Sequence, residues 1–398
     1  MVVLKEIEDN LQEKGSLQKG ETIPVECDQN ALHSRNIGMR VENGIPSDLC
    51  IRFSALSVLP VAIDQLSNLR ELDLTGNLLT EVPDTLGNLV NLQKLYLDGN
   101  QLTKLPDTIC QLTNLEAFHV YNNRLVELPE GLGQLNKLKS LSVGNNRLTT
   151  LPNSLWQLTK LQVLILSENK FTSLSEEIEN LTSLHTLDLG HNELTSLPDG
   201  LGKLENLTSF LYLSDNRLSS IPSSLFEGLT RLKYLNITDN SFSTLPDSIG
   251  NLTSLIELRL YNNQLIALPE ALGKLTQLRE LHLMNNQLTS LPVSMERLVH
   301  LKELRLSGNR LSLLPTSLCK LPSLTILDLR NNALSTLPDI FDRLQKLTFL
   351  DLRSNRFLTL PQCIARIPTL EKLDLRWNRV LFTPELQSLE QYGCIIYL

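Results

Sequence analysis

Apolar and polar residues alternate in a short segment that recurs along most of the chain. In residues 92–112, Leu95 and Leu97 flank a variable position, and Asn100 and Pro106 follow at fixed distances. The alternation is typical of a strand with one buried face. Proline fixes φ and offers no N–H, so the strand cannot continue and a return leg is expected to begin there.

The same unit returns with an almost constant period. An asparagine marks each copy, at Asn77, Asn100, Asn123, Asn146, Asn169, Asn192, Asn216, Asn240, Asn263, Asn286, Asn309, Asn332, Asn355 and Asn378. The spacing is 23 residues except for the two steps of 24 that end at Asn216 and Asn240. A proline stands six residues after each of these asparagines, with Ser175 as the exception.

The asparagine has a predicted structural role. Where the strand turns away, buried backbone groups need partners, and an amide side chain offers both a donor and an acceptor. One unit cannot bury its leucines alone, so neighbouring units are expected to stack, with a parallel sheet on the concave side.

The unit resembles the leucine-rich repeat, LxxLxLxxNxLxxLPxxLxxL, over roughly 340 of the 398 residues. The resemblance implies an α/β solenoid, a curved horseshoe of about 15 repeats with a parallel concave β-sheet and short helical, 3-10 or irregular convex legs. The uniform LPxxLxxL class is similar to bacterial repeats, to plant intracellular Ras-group-related proteins and to an animal Ras-pathway scaffold. Segments 373–378 and 393–398 look more bacterial. The class implies protein–protein interaction, often in signalling or host contact.

Both ends depart from the repeat. The spacing of Leu4, Ile7 and Leu11 predicts a short amphipathic helix that Gly15 ends. We interpret the chain as a partly helical N-terminal capping segment (1–45), the repeats (46–384) and a C-terminal cap that closes on a final strand (385–398).

Composition narrows the function classes. The formal net charge of −8 and the pI of about 5.4 argue against general nucleic-acid binding and against docking on anionic lipid. The six cysteines form no CxxC pair and no terminal group, which favours a reducing compartment. The apolar start is too short for a signal peptide, and no stretch approaches the ~20 apolar residues of a membrane span. The expected location is the cytoplasm, or the host cytosol for a secreted bacterial effector.

Function is expected at the variable strand positions four and two residues before each asparagine, which should face the concave surface. Residue types enriched at protein interfaces gather there in two groups. The N-terminal patch comprises Tyr96, His119 and Tyr121. The central cluster comprises Tyr212, Tyr234, Arg259, Tyr261, His282, Met284 and Arg305. The alternative is that exposed strand positions favour aromatic residues by propensity alone.

A third group is a charge ladder, made of Asp328, Asp351 and Asp374 beside Arg330, Arg353 and Arg376. We interpret the ladder as a self-neutralising, solvated stripe; the alternative is a docking site for an acidic partner. His185 and His191 would lie about 20 Å apart on an extended strand, so we predict no metal site. We expect no cofactor.

The two longer steps predict different consequences. The first extra residue falls just before a strand, and the side-chain period of two then favours a bulge in the sheet at Thr208–Phe210. The bulge would re-aim Phe210 and Tyr212 beside Tyr234. The second falls on the outer leg at 226–228, where a glycine eases an enlarged turn, so no irregularity is expected at Lys233–Ile237.

Catalytic patterns are missing from the sequence. It carries no phosphate loop, nucleophile elbow or metal-ligand cluster. Some bacterial repeat proteins carry a ubiquitin-ligase domain after the repeats, but the 14 residues after Pro384 are too few for one. The leading interpretation is a non-enzymatic scaffold or recognition module, in intracellular signalling or as a bacterial effector. Its expected partner is another protein, not nucleic acid, a membrane or a small molecule. A structural or adhesive surface protein is the alternative, and an enzyme with an unrecognised site in 1–45 ranks third.

Overall fold

The computed structural model describes residues 2–26, 28–381 and 383–398. They form two compact units, unit 1 (Met1–Glu193) and unit 2 (Leu194–Leu398). Each unit is a solenoid of stacked coils, with short strands side by side on one face and single helical turns on the return legs. None of the helices in the described ranges combines the length and the apolar character that crossing a bilayer requires.

Unit 1 begins with two helices, α1 (Val2–Glu13) and α2 (Gln29–His33). Its strands are β1 (Val25–Glu26), β2 (Ile37–Glu42), β3 (Ile45–Ile51), β4 (Glu71–Asp73), β5 (Lys94–Tyr96), β6 (Ala117–His119), β7 (Ser140–Ser142), β8 (Val163–Ile165) and β9 (Thr186–Asp188). Its 3-10 helices are Val61–Gln65, Asp84–Asn88, Asp107–Gln111, Leu132–Gln134, Asn153–Gln157 and Glu176–Asn180. Strands β2 and β3 form an antiparallel hairpin, and from β3 to β9 each strand pairs in parallel with the next.

Unit 2 repeats this plan with parallel pairing throughout. Its strands are β10 (Phe210–Tyr212), β11 (Tyr234–Asn236), β12 (Glu257–Arg259), β13 (Glu280–His282), β14 (Glu303–Arg305), β15 (Ile326–Asp328), β16 (Phe349–Asp351), β17 (Lys372–Asp374) and β18 (Ile395–Tyr397). Its helices are α3 (Ser223–Gly228) and α4 (Pro384–Gln391). Its 3-10 helices are Asp199–Lys203, Asp247–Asn251, Glu270–Lys274, Val293–Arg297, Thr316–Lys320, Phe341–Arg343 and Gln362–Arg366.

The leucines of the repeat fix the strand register. Leu95 in β5 is fully buried and pairs with Leu72 in β4, while Lys94 and Tyr96 point to the opposite, half-exposed face. A slip of one residue would turn every such leucine toward solvent, so the 23-residue period keeps the strands aligned.

The repeat asparagines bond the backbone, as predicted; they are buried as far as Asn309 and part-buried at Asn332, Asn355 and Asn378. Asn263 donates from Nδ2 to the carbonyl oxygens of Ile237 (3.0 Å) and Leu260 (3.1 Å), and its Oδ1 accepts the N–H of Phe242 at 3.1 Å. Asn100 makes the equivalent three contacts in unit 1. Each asparagine therefore joins two neighbouring coils.

The prolines begin the 3-10 turns of the return legs. Pro83 has φ −70° and ψ 152°, and its carbonyl oxygen accepts the N–H of Leu86 at 3.0 Å. Ser175, which replaces the proline in one coil, caps the turn instead, because its Oγ accepts the N–H of Glu177 at 3.2 Å. The predicted convex legs are confirmed.

The first helix lies against the start of the solenoid. Val3, Ile7 and Leu11 of α1 are fully buried, whereas Leu4 is only part-buried. Gly15 follows the helix with φ +76°, a conformation that favours glycine. The assignment of 1–45 as a cap stays a prediction.

The first extra residue is absorbed in the loop ahead of β10. Phe210, Leu211 and Tyr212 pair in register with β11, so the predicted irregularity does not reach Phe210 on this side of the strand. The irregularity lies one step earlier, at Thr208–Ser209. Ser209 forms a bend, and the N–H of Lys233 donates to the carbonyl oxygen of Thr208 at 3.1 Å, one residue before the position that the equivalent N–H of Ile256 bonds in the next coil. The strand pairing itself is undisturbed.

The second extra residue turns a 3-10 turn into the α-helix α3. Leu229 N–H donates to Leu225 O, four residues back, at 3.1 Å. The neighbouring β11–β12 register is undisturbed, as predicted. Gly228 is needed for packing rather than for a turn, because a Cβ there would lie 1.7 Å from the carbonyl oxygen of Gly202.

Candidate functional site

Three positions of each coil share the exposed sheet face, those six, four and two residues before the asparagine. The sequence analysis considered the positions four and two residues before the asparagine. It did not treat the position six residues before the asparagine as a row of its own, although Tyr234 occupies that position in its coil. In unit 2 this row brings Phe210, Glu257, Glu280 and Glu303 to the predicted cluster. The sequence does indicate this third row, because residues two apart on a strand share a face and the position six before the asparagine precedes the position four before it by two.

Three aromatic rings form a packed step at the start of this face. The ring centroids of Phe210, Tyr212 and Tyr234 lie 5.0–5.8 Å apart in every pairing. The guanidinium carbon of Arg259 lies 5.4 Å from the centroid of the Tyr234 ring, within cation–π range. Phe210 is 42% exposed, so the step presents apolar surface to solvent. Burial raises the pKa of Tyr234 to about 12, although Arg259 opposes the shift.

Two ionic rows follow the aromatic step. Glu257, Glu280 and Glu303 pair in register across β12–β14, and Arg259, His282 and Arg305 form the parallel row. Each acid contacts the basic side chain two residues later on its own strand: Arg259 Nε lies 2.6 Å from Glu257 Oε1, and His282 Nε2 lies 3.3 Å from Glu280 Oε2. Arg305 and Glu303 form the third pair. Burial disfavours the charged form of Arg259, but its bond to Glu257 holds the pKa above the usual range.

The remaining two members of the central cluster stand at the ends of the same strands. Tyr261 and Met284 are half-buried, and the intervening N–H of Asn262 donates to Met284 O at 2.9 Å. The fold therefore places Tyr234, Arg259, Tyr261, His282, Met284 and Arg305 on adjoining strands, together with Tyr212.

One group on this face has metal-ligand geometry. Glu257, Glu280 and His282 offer ligand atoms that all lie within 4.8 Å of one another. Arg259 already bonds Glu257, and a bound cation would have to displace it. An ionic network describes the group better than a metal centre does.

The N-terminal patch lies in unit 1. Tyr96 and His119 pair across β5 and β6, with ring centroids 5.1 Å apart in an edge-on arrangement. Tyr121 donates from its hydroxyl to Glu168 Oε1 at 2.5 Å. Its backbone N–H donates to Asp98 Oδ1 at 2.6 Å. The three predicted residues thus lie on one face and are tied down by neighbours.

Ser140, His119 and Asp98 lie side by side at this patch, and these are the residue types of a catalytic triad. His119 Nε2 lies 2.8 Å from Ser140 Oγ, but its Nδ1 lies 4.0 Å from Asp98 Oδ2, too far for a hydrogen bond. Burial raises the pKa of Asp98 to about 6 and lowers the pKa of His119. The imidazole is therefore mainly neutral at pH 7, and the aspartate does not orient it as a catalytic triad requires.

The charge ladder of unit 2 is paired within itself. Arg353 Nη2 lies 2.6 Å from Asp351 Oδ2, and its Nε lies 3.5 Å from Asp374 Oδ2 on the next strand. Arg376 Nη2 lies 2.6 Å from Asp374 Oδ2. Burial opposes ionisation of Asp374, but its hydrogen bonds to Arg376 hold the pKa below the usual range. These contacts favour the self-neutralising interpretation of the ladder.

Family models for leucine-rich repeats match most of this repeat architecture. The leucine-rich repeat region model matches residues 57–164, and the leucine rich repeat model matches 209–265, 299–357 and 322–380. A model for two leucine-rich repeat copies matches 159–206 and 253–294. A leucine-rich repeat protein of Leptospira interrogans is 38% identical, with 88% of this chain and 89% of that chain covered and a TM-score of 0.81. The chain is a leucine-rich repeat protein.

Other solved leucine-rich repeat structures are also similar. The ectodomain of the Arabidopsis thaliana receptor kinase GASSHO1/SCHENGEN3, in complex with CASPARIAN STRIP INTEGRITY FACTOR 2, is 32% identical over 96% of this chain and 47% of that chain, with a TM-score of 0.77. YopM of Yersinia enterocolitica is 26% identical over 94% and 73%, with a TM-score of 0.64. No curated protein sequence matches the chain. The matching family models are all repeat models, and none of them describes a catalytic domain.

Proposed function

We propose that this leucine-rich repeat protein is a recognition module that binds another protein through the central cluster of unit 2. The observation that carries the proposal is the aromatic step of Phe210, Tyr212 and Tyr234, extended by Arg259. Aromatic and arginine side chains that are held in place contribute most of the binding free energy at protein interfaces. The step is held by ring packing and the arginine by Glu257, so little conformational entropy is lost on binding.

The relatives support a protein or peptide as the partner class. The Arabidopsis receptor kinase ectodomain was solved in complex with CASPARIAN STRIP INTEGRITY FACTOR 2, and the plant peptide hormone receptor RGFR1, 27% identical, was solved in complex with RGF2. The proposal includes a role in intracellular signalling with a cytoplasmic location, or a role as a bacterial effector in the host cytosol. The proposal also assigns a capping role to residues 1–45; the burial of Val3, Ile7 and Leu11 of α1 supports it.

The test is a pair of photo-crosslinking variants in the native cell. A benzophenone amino acid at Tyr261, on the sheet face, should give a discrete protein adduct, and the same group at Lys274, on a return leg, should not. With the captured partner, Tyr261→Ala or Arg259→Ala should weaken binding by ~2 kcal/mol or more, and Lys274→Ala should change it by less than ~0.5 kcal/mol. Equal affinities for the two classes of variant would place the interface elsewhere.

A further inference from the structure

The last coils of unit 2 carry a second surface, at the edge where the strands end. We define the C-terminal edge as Arg353, Arg356, Leu358, Arg376, Trp377, Arg379 and Leu381. The segments 356–358 and 379–381 run side by side, because Arg379 N–H donates to Phe357 O at 3.1 Å. Leu358 is 62% exposed and Leu381 is 75% exposed. None of these residues belongs to the central cluster.

Trp377 occupies a backbone position that does not suit a tryptophan. The residue before each repeat asparagine has positive φ, and in the other coils with an asparagine it is Gly, Asn, Asp, Ser, Glu or His. Trp377 has φ +61° there and is 71% exposed. A bulky side chain in this conformation is strained, and such strain concentrates at functional positions.

Two guanidinium groups hold the tryptophan ring in place. The guanidinium carbons of Arg353 and Arg376 lie 5.9 and 5.8 Å from its centroid. Asp351 and Asp374 anchor these arginines from below. The exposed ring is therefore presented rigidly, as an interface anchor requires.

The edge also carries uncompensated positive charge. In the part of the chain that the structure describes, Arg356 and Arg379 are exposed and form no ion pair. Arg353 and Arg376 are paired with Asp351 and Asp374, which leaves Arg356 and Arg379 as two unpaired positive charges on this edge in a chain of net charge −8. This local excess complements an acidic ligand.

From these observations we propose that the C-terminal edge is a second docking site, for an acidic protein segment with a large apolar side chain. The apolar side chain packs on Trp377 between Leu358 and Leu381, and carboxylates meet Arg356 and Arg379. A nucleic acid fits less well, because two unpaired arginines neutralise few phosphates and the rest of the chain is acidic.

The probe is a fluorescent twelve-residue peptide of four Glu-Glu-Leu units. Fluorescence anisotropy should show binding that weakens with added salt, and the same peptide with Gln for Glu should bind at least about tenfold more weakly. The emission of the exposed Trp377 should shift to the blue on binding, whereas Trp156 is 4% exposed and should contribute no shift.

Matched variants separate binding from folding. Trp377→Asn places at this position the residue that Asn262 and Asn285 represent in other coils, so the fold is preserved. This variant, and Arg356→Glu with Arg379→Glu, should weaken peptide binding at least about tenfold. Arg310→Glu changes an exposed arginine at the same repeat position in another coil and should leave binding unchanged.

Three outcomes would overturn the proposal: no peptide binding, equal affinity for Trp377→Asn and Arg310→Glu, or binding of phosphatidylserine vesicles or single-stranded RNA without peptide binding. The readout is independent of the central cluster, since Tyr261→Ala should bind the peptide like the unmodified protein.

Discussion

The repeat asparagines should be among the most sensitive residues of the chain, and Asn263→Ala tests this in unit 2. The side chain is 8% exposed and bonds four backbone groups, which are the N–H of Phe242 and the carbonyl oxygens of Ile237, Leu260 and Tyr261. Truncation to alanine removes all four bonds at once, but the Tyr261 carbonyl keeps a second donor, the N–H of Asp239. The buried N–H suffers most, because orphaned donors are rarer in native proteins than orphaned carbonyls.

The magnitude follows from the groups left unpaired. An unsatisfied buried backbone group costs about 1–3 kcal/mol. Taking about 2 kcal/mol for the N–H and about 0.5–1 kcal/mol for each carbonyl, with some recovery by entering water, gives a loss of about 3 kcal/mol. This exceeds the roughly 1 kcal/mol of an average substitution.

Urea unfolding followed by circular dichroism measures the loss, with Gln264→Ala as the control. Gln264 is the next residue along the chain, but its side chain is exposed. Hydrogen exchange adds a local readout, since the amide of Phe242 should lose protection in Asn263→Ala alone. The reasoning fails if the two variants unfold within about 0.5 kcal/mol of each other, or if the Phe242 amide stays protected.

Three further predictions concern the thiols, one carboxylate and one glycine. Burial raises the pKa of Cys110 and Cys319 to about 11, so the native protein should react slowly with thiol reagents at pH 8; the denatured, unreduced chain should expose six thiols, and four or fewer would indicate disulfides. Burial raises the pKa of Asp98 from 3.8 to about 6, so the folded state loses stability as pH rises between these values. Asp98→Asn keeps the acceptor for the N–H of Tyr121, and its melting temperature should exceed that of the unmodified protein by a margin that grows from near zero at pH 4 to a plateau at pH 7. Gly228→Ala should lower stability by about 1–3 kcal/mol through contact with Gly202 O, and an unchanged melting temperature would contradict this packing argument.

The scaffold was predictable because its determinants are local and repeated. In one coil, Leu95 predicts a buried strand face and Asn100 predicts the turn that follows. Thirteen further asparagines repeat this pattern with nearly the same period. The site was predictable only in part. The pair of Glu257 with Arg259 is visible in the sequence as Glu-Leu-Arg. Since residues two apart share a strand face, this pattern would have predicted the acidic row six residues before the asparagine. The sequence predicted two of the three rings of the aromatic step, Tyr212 and Tyr234, but did not place Phe210 in the central cluster.

The extra residue before β10 shows where sequence reasoning stops. Either the ladder or the loop can take up one residue, and their relative stiffness decides which does. The ladder is held by the leucine pair of Leu211 with Leu235, whereas Ser209 only has to bend. Sequence position alone does not express that difference in stiffness.

Charged side chains on the exposed face of unit 2 mostly pair with one another. Its acids and cations are paired two residues apart on single strands, from Glu257 with Arg259 to Asp374 with Arg376, so the charges are compensated before any partner arrives. Two places depart from this self-compensation: the aromatic step around Phe210, and the edge at Trp377. Both expose aromatic surface that neighbouring side chains hold rigid but do not cover. Because the backbone repeats the same geometry in each coil, a partner can discriminate only where the side chains differ, and the side chains differ from those of other coils at both places.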